Sequence, residues 1–336
     1  MNSTRLLLLT RTLTLSGTLA LALSATGCRN QAANRDQTAG PSSTAGTDLV
    51  TSGEAALIAG DRKKAAQDFA RAIAVNPNLT DAHLGLADIN RMEGDYAAAE
   101  AGYRKAADLA PQNFDAQYYN GLMLHLMDRV TDAIGAYLRA LAVRPDDFQA
   151  NLNISAAYYQ LGENAQALAF GERAVRLNPR SGPAHVNLAA ILSDNGNHAD
   201  AVVSYQQAAE YMELTPKLLL GYAESLKALD RYTEMRGTLE QLVRTTPSAP
   251  AHERLGYALF KLEQYDQALA NFQAALNADP NYFPALNGVG VCELNRWYWS
   301  DQRDSAARER GITALRKSLT LNNNQAAIQE LLGRYR

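Results

Sequence analysis

The sequence predicts an all-α chain built as a stack of helical hairpins. Three observations carry this reading. Prolines recur at Pro77, Pro111, Pro145, Pro179, Pro247 and Pro280, spaced 34, 34, 34, 68 and 33 residues apart. A phrase that closes on such a proline also recurs. It reads A-A-Q-D-F-A-R-A-I-A-V-N-P at Ala65–Pro77, A-I-G-A-Y-L-R-A-L-A-V-R-P at Ala133–Pro145 and D-Q-A-L-A-N-F-Q-A-A-L-N-A-D-P at Asp266–Pro280. Alanine is abundant with helical periodicity, and β-branched runs are absent. A fixed period in the thirties marks stacked hairpins, each too small to bury its apolar face alone. Such an array grows along one axis, so a chain of 336 residues needs no second core.

The chain opens with residues that do not belong to the array. Arg5 and Arg11 precede a short apolar stretch, Leu13–Ala25. A basic start, a short apolar centre and small residues after it describe a secretory signal, here residues 1–27. The stretch is shorter than the roughly 20 apolar residues of a membrane span. Ser24-Ala25-Thr26-Gly27-Cys28 resembles the lipobox of bacterial lipoproteins, with Ala25 where that family prefers Leu. The resemblance implies that Cys28 is lipidated and becomes the mature N-terminus. Arg29 rather than Asp follows it, which by the family's sorting tendency favours the outer membrane over the inner. Several acyl chains, at about 0.8 kcal/mol per buried methylene, hold a protein firmly on a membrane. Residues 28–45 hold no large apolar side chain and read as a flexible tether with a reach of roughly 25 Å.

Residues 46–323 fall into eight frames, starting at Gly46, Thr80, Phe114, Phe148, Gly182, Pro216, Ala249 and Phe283. Each frame predicts two antiparallel helices. The eighth position is always small: Gly53, Ala87, Gly121, Ser155, Ala189, Ala223, Gly256 and Gly290. The twentieth is Ala in six frames, Met235 in the sixth and Gly311 in the eighth. Small residues at these two places let the paired helices approach closely. The twenty-fourth position carries the wedge between hairpins: Phe69, Tyr103, Tyr137, Tyr205, Leu239, Phe272 and Leu315, with Gly171 as the exception. The closing proline ends the second helix. Gly60, Gly94, Gly162 and Gly196 fall in the turn between helices, where a left-handed backbone is needed. Met235 and Leu242 predict a more open sixth hairpin, and Trp297–Arg310 reads as about nine extra residues between the last two helices. Residues 324–336 place Ile328, Leu331, Leu332 and Tyr335 on one face and read as a capping helix.

These residues resemble the tetratricopeptide-repeat family over about 280 residues. The resemblance implies a right-handed superhelical solenoid whose first helices line a concave, peptide-binding groove. The fourth frame position, often Trp in the family, is here His, Gln, Asn or Leu. Groove positions of the third and fourth frames hold Tyr118, Tyr119, Leu122, Leu152, Asn153, Ala156 and Tyr159, and Asn187 follows in the fifth. Aromatic side chains with few rotatable bonds are good recognition anchors. Asn153 and Asn187 occupy the same sixth position and could hold an extended backbone. Each such bond contributes about 0.5–1.5 kcal/mol. A second contact candidate is the aromatic run at Trp297 and Trp299.

Composition excludes other classes. The net charge of −3 gives no electrostatic footprint for nucleic acid. Two cysteines, Cys28 and Cys292, do not make a disulfide framework. His83, His185 and His252 recur with the repeat rather than at metal-ligand spacing. No catalytic, metal or cofactor arrangement is expected, and no enzyme activity. The expected function is a lipid-anchored scaffold or adaptor for a protein or peptide partner. It would lie in a bacterial cell envelope, facing the periplasm. The alternatives are a homo-oligomeric structural envelope protein, or a non-catalytic subunit of a pilus, secretion or peptidoglycan-processing complex.

Overall fold

The computed structural model describes residues 41–335. The signal segment, Cys28 and most of the expected tether lie outside the described residues. The described residues group into two compact units, divided between Pro179 and Arg180, where the period alone describes one uninterrupted array. The first unit holds α1 (Pro41–Ile58), α2 (Arg62–Val75), α3 (Thr80–Glu93), α4 (Tyr96–Leu109), α5 (Phe114–Leu126), α6 (Val130–Val143), α7 (Phe148–Leu161) and α8 (Asn164–Leu177). The second holds α9 (Gly182–Asp194), α10 (His198–Tyr211), α11 (Pro216–Ala228), α12 (Tyr232–Thr245) and α13 (Ala249–Lys261). It continues with α14 (Tyr265–Ala278), α15 (Phe283–Trp299), α16 (Ser305–Leu321) and α17 (Ala326–Gly333). No strand occurs among the described residues. The division follows the fourth hairpin, whose second helix carries Gly171 at the wedge position.

From the second frame to the eighth, each frame start is a helix start. The first differs. α1 begins at Pro41, so residues 41–45 are helical rather than part of a tether. Proline is tolerated there because the first-turn amides have no intrahelical acceptor. Several other starts are fixed by side-chain caps. Asp147 accepts from the Ala150 amide at 2.8 Å and Asn113 from the Ala116 amide at 2.9 Å. Second helices stop in extended backbone before the closing proline, as at Asn76 (φ −143°, ψ 101°). The turn inside each of the first seven hairpins needs one left-handed residue at frame position fifteen. Gly60, Gly94, Gly162 and Gly196 supply it with φ of 78–83°. Asp128, Asp230 and Glu263 adopt it without being glycine, at φ 62°, 55° and 62°.

Packing follows the small-and-wedge pattern. Phe69, Tyr103, Tyr137, Leu239 and Leu315 are at most 1 % exposed. A Cβ added at Gly53 would stand 2.8 Å from the Phe69 ring, and one at Gly121 would stand 2.7 Å from Tyr137. The eighth position must therefore be small because the wedge of its own hairpin lies on it. The fourth position has a polar task that explains its departure from Trp. His83 Nε2 lies 2.9 Å from the Pro77 carbonyl oxygen. Gln117 donates to the Pro111 carbonyl at 3.4 Å and Asn151 to that of Pro145 at 3.0 Å. Each satisfies the carbonyl of the proline that closes the preceding repeat.

In the sixth hairpin, α11 and α12 are the most loosely paired of the hairpins. Met235, Leu239 and Leu242 are buried and fill the wider gap. The extra residues of the eighth hairpin do not form a long loop. They lengthen α15 and α16 to 17 residues each and leave a short turn with left-handed Asp301 and Gln302. α17 packs Ile328, Leu331, Leu332 and Tyr335 against Leu294, Ile312 and Leu315. No helix of the described residues is long and apolar enough to cross a membrane.

Candidate functional site

The first-helix face of the first unit is formed by α3, α5 and α7, and its centre is aromatic. Tyr118 stacks on Phe114 one helical turn away, with ring centroids 5.6 Å apart, and meets the edge of Tyr119 at 5.1 Å. Tyr119 stacks on Tyr103 of α4 at 5.4 Å. The Arg91 guanidinium lies over the Tyr119 ring, 5.0 Å from its centroid. Arg91 also donates to the Tyr103 hydroxyl at 3.0 Å, and that hydroxyl donates to Asp88 at 2.6 Å. Arg91 and Asp88 close the cluster with an ion pair at 3.1 Å. Burial, reinforced by the Asp88 carboxylate, holds the Tyr103 phenol well above its ordinary range. Burial likewise raises Tyr118 and Tyr119. All three stay neutral hydroxyl groups at physiological pH.

Asn153 of α7 donates to the Tyr118 hydroxyl at 2.9 Å across to α5. Its carbonyl is the group it has left for a ligand, since its amide also lies against the Tyr137 hydroxyl. Asn153 and Tyr119 both sit at the sixth frame position, and the structure shows what that position meets. A Cβ added at Gly85 would come within 2.4 Å of the Phe69 ring of the preceding hairpin. In the second unit, Gly288 meets Phe272 at 2.4 Å and Gly221 meets the Tyr205 hydroxyl at 2.8 Å. The sixth position is where the previous wedge packs against the next first helix. Where it is Gly, the buried wedge side chain lies directly against its backbone. Where it is Tyr119, a second ring is stacked on the wedge.

Leu122, Leu152 and Tyr159 are half-buried on this face. Ala156 is 9 % exposed and offers little surface. Asn187 belongs to the second unit and is buried at 8 %. His125 lies at the end of α5, with a ring nitrogen 3.1 Å from Gln160 Oε1, and burial lowers its pKa, so it stays neutral near pH 7.

The second contact candidate divides. Trp297 is held inside the chain: its Nε1 donates to the Gln302 carbonyl at 3.1 Å, and its ring meets the edge of Tyr335 at 5.6 Å. Trp299 is 53 % exposed and meets the Tyr265 ring at a tilt, centroids 4.4 Å apart, rimming a cavity of about 360 Å³ lined by Leu269 and Cys292. Burial pushes the Cys292 thiol up to about 12. Among the described residues, no group of three or more His, Cys, Asp or Glu is placed to hold a metal ion.

Comparison with known proteins accords with this architecture. A tetratricopeptide-repeat profile matches residues 50–114 and 127–182, and a second matches residues 249–282, the seventh frame. The chain contains tetratricopeptide repeats, and its fold is that of a tetratricopeptide array. Similar solved structures include PilF of Pseudomonas aeruginosa, 22 % identical with a TM-score of 0.51, covering 61 % of this chain and 94 % of that one. YrrB, described as a tetratricopeptide protein with an unusual peptide-binding site, is 18 % identical with a TM-score of 0.51, covering 59 % and 98 %. A tetratricopeptide-repeat protein of Parabacteroides merdae is 19 % identical with a TM-score of 0.50, covering 76 % and 97 %. At these identities the likeness is one of fold. No curated protein matches the chain by sequence.

Proposed function

We propose that the protein is a non-catalytic scaffold that binds an extended segment of a protein partner on the first-helix face of its first unit. The observation that carries this is the aromatic pair Tyr118 and Tyr119, stacked on the buried Tyr103, braced by Arg91 and Asp88 and flanked by half-buried Leu122, Leu152 and Tyr159. Rigid rings lose little conformational entropy on binding. The Asn153 carbonyl, which Tyr118 does not use, suits one peptide N–H. The peptide site named for YrrB shows that this kind of fold can serve such a role. Tyr119 and Asn153 are braced within the unit, so the cleaner probe of binding is Leu152, which is half-buried and outside the packed clusters. Leu152→Asp is expected to abolish partner capture from envelope extracts while leaving helicity and thermal unfolding unchanged. Undiminished capture by a folded Leu152→Asp protein would sink the proposal.

The lipobox supports a second part of the reading. We infer that Cys28 carries the lipid anchor and holds the repeats in a bacterial envelope, facing the periplasm, with the outer membrane favoured by Arg29. A folded interaction surface on such an anchor raises the local concentration of its partner. Cys28→Ser is expected to release the protein from the membrane fraction. Continued membrane association of that variant would overturn the anchor.

A further inference from the structure

The face made by the second helices carries a polar cavity that the packing of the array does not require. It has a volume of about 690 Å³ and lies between α4 and α6, with α5 as its floor. Two side chains at its base are polar at positions that are apolar in most frames. Asn120 stands at the seventh frame position, elsewhere occupied by Leu86, Ile154, Leu188, Tyr222, Leu255 and Val289. Glu100 stands at the twenty-first, elsewhere occupied by Ala66, Ile134, Leu168, Val202, Leu269 and Ile312, and by Arg236 in the sixth frame. Asn120 is 3 % exposed and Glu100 is 6 % exposed. The one other small polar residue at the seventh position is Ser52, and it is satisfied by a 2.7 Å hydrogen bond to Asp68. The Asn120 Oδ1 is buried without a hydrogen-bond partner.

Arg129 and Arg139 of the cavity wall bond to neighbouring side chains. Arg129 grips Asp132 through two nitrogens at 2.7 and 2.9 Å. Arg139 donates to Gln117 Oε1 at 2.8 Å. Arg104 and Arg129 approach Glu100 only to 3.7 and 4.0 Å, distances of charge contact rather than hydrogen bonding. A buried carboxylate and a buried amide carbonyl thus line one cavity as acceptors, without a donor seated on them. Buried acceptors are ordinarily satisfied, and a carboxylate is best satisfied by a cationic donor.

We propose that this cavity is a second binding site, which takes a basic side chain, lysine or arginine, from a protein partner. Its cationic head would donate to Glu100 and to the Asn120 Oδ1. The site is independent of the first-helix face and would let one unit engage a partner on two sides.

The test uses the full chain in detergent and isothermal titration with end-blocked Gly-Lys-Gly, Gly-Arg-Gly and Gly-norleucine-Gly. At least one basic peptide is expected to bind at about 10 mM or below, and the norleucine peptide not at all. Asn120→Leu places the residue of the second, fifth and seventh frames at that position, so a folded protein is expected. It and Glu100→Gln should each weaken the basic peptide at least about tenfold. Capture through Leu152 should be unchanged in both variants, which separates failure here from failure of the groove. Absence of binding by either basic peptide, or equal affinity in the Asn120→Leu protein, would overturn the proposal. Putrescine binding as tightly as the peptides would also overturn it, by assigning the site to a free polyamine.

Discussion

Tyr103 and Tyr137 occupy the same frame position in successive hairpins, are both fully buried, and are expected to respond to phenylalanine with opposite sign. The Tyr103 hydroxyl donates to Asp88 at 2.6 Å and accepts from Arg91 at 3.0 Å. Hydrogen bonds to charged groups contribute about 1.5–3 kcal/mol when buried. The Asp88 and Arg91 side chains are 36 % and 29 % exposed, which places the cost of Tyr103→Phe at the lower end, about 1.5 kcal/mol. The Tyr137 hydroxyl is buried with no hydrogen-bond partner. The Asn153 amide, which donates to Tyr118, also lies close enough to ease the Tyr137 hydroxyl. An unsatisfied buried polar group costs about 1–3 kcal/mol, and Phe69 and Phe272 already fill the equivalent place elsewhere. Tyr137→Phe should therefore stabilise the first unit by about 1 kcal/mol. The two variants should differ by about 2.5 kcal/mol, or about 5 °C or more in melting temperature for a unit of this size. Guanidinium titrations followed by far-ultraviolet circular dichroism, with calorimetry alongside, measure both. Shifts of the same sign in the two variants would refute the assignment of which hydroxyl is satisfied.

Two further outcomes follow from the second unit. Glu263 holds a left-handed backbone at φ 62° where four other hairpins use glycine, so Glu263→Gly should stabilise the unit by about 0.5–1 kcal/mol and raise its melting midpoint; an unchanged or lower midpoint counts against strain there. Cys292 is buried and its pKa is raised to about 12, so its thiol should resist iodoacetamide at neutral pH until the chain unfolds. The folded state then holds a proton that the unfolded thiol, with its ordinary value of 9.0, gives up. Its contribution to stability is complete below pH 9 and is lost as pH rises from about 9 towards about 12. Rapid alkylation of the native protein at neutral pH would contradict this.

What the sequence made legible was whatever recurs. The closing prolines and the pairing of Gly53 with Phe69 or Gly121 with Tyr137 repeat at a fixed distance, so helix starts and hairpin packing could be read directly. Features that break the period were harder. The sixth-position contact joins one hairpin's wedge to the next hairpin's first helix, so Tyr119 and Asn153 read as free ligand groups although Tyr103 and Tyr118 brace them. Extra residues after Trp297 read as a loop, because composition alone does not distinguish an inserted loop from one more turn on each helix. The division after Pro179 left no mark in the period, since that proline keeps its place. Asn120 was available as a signal, being a polar residue in an apolar column, but its significance depends on the unpartnered carbonyl that only three dimensions reveal.

The central claim is that the first-helix face of the first unit holds the partner. It is tested most directly by placing a photo-cross-linking amino acid at Leu152 of α7, and separately at exposed Gln166 of α8, in the native cell. A discrete protein adduct is expected from position 152 and none from position 166. Equal adducts from both positions, or none from position 152, would contradict it.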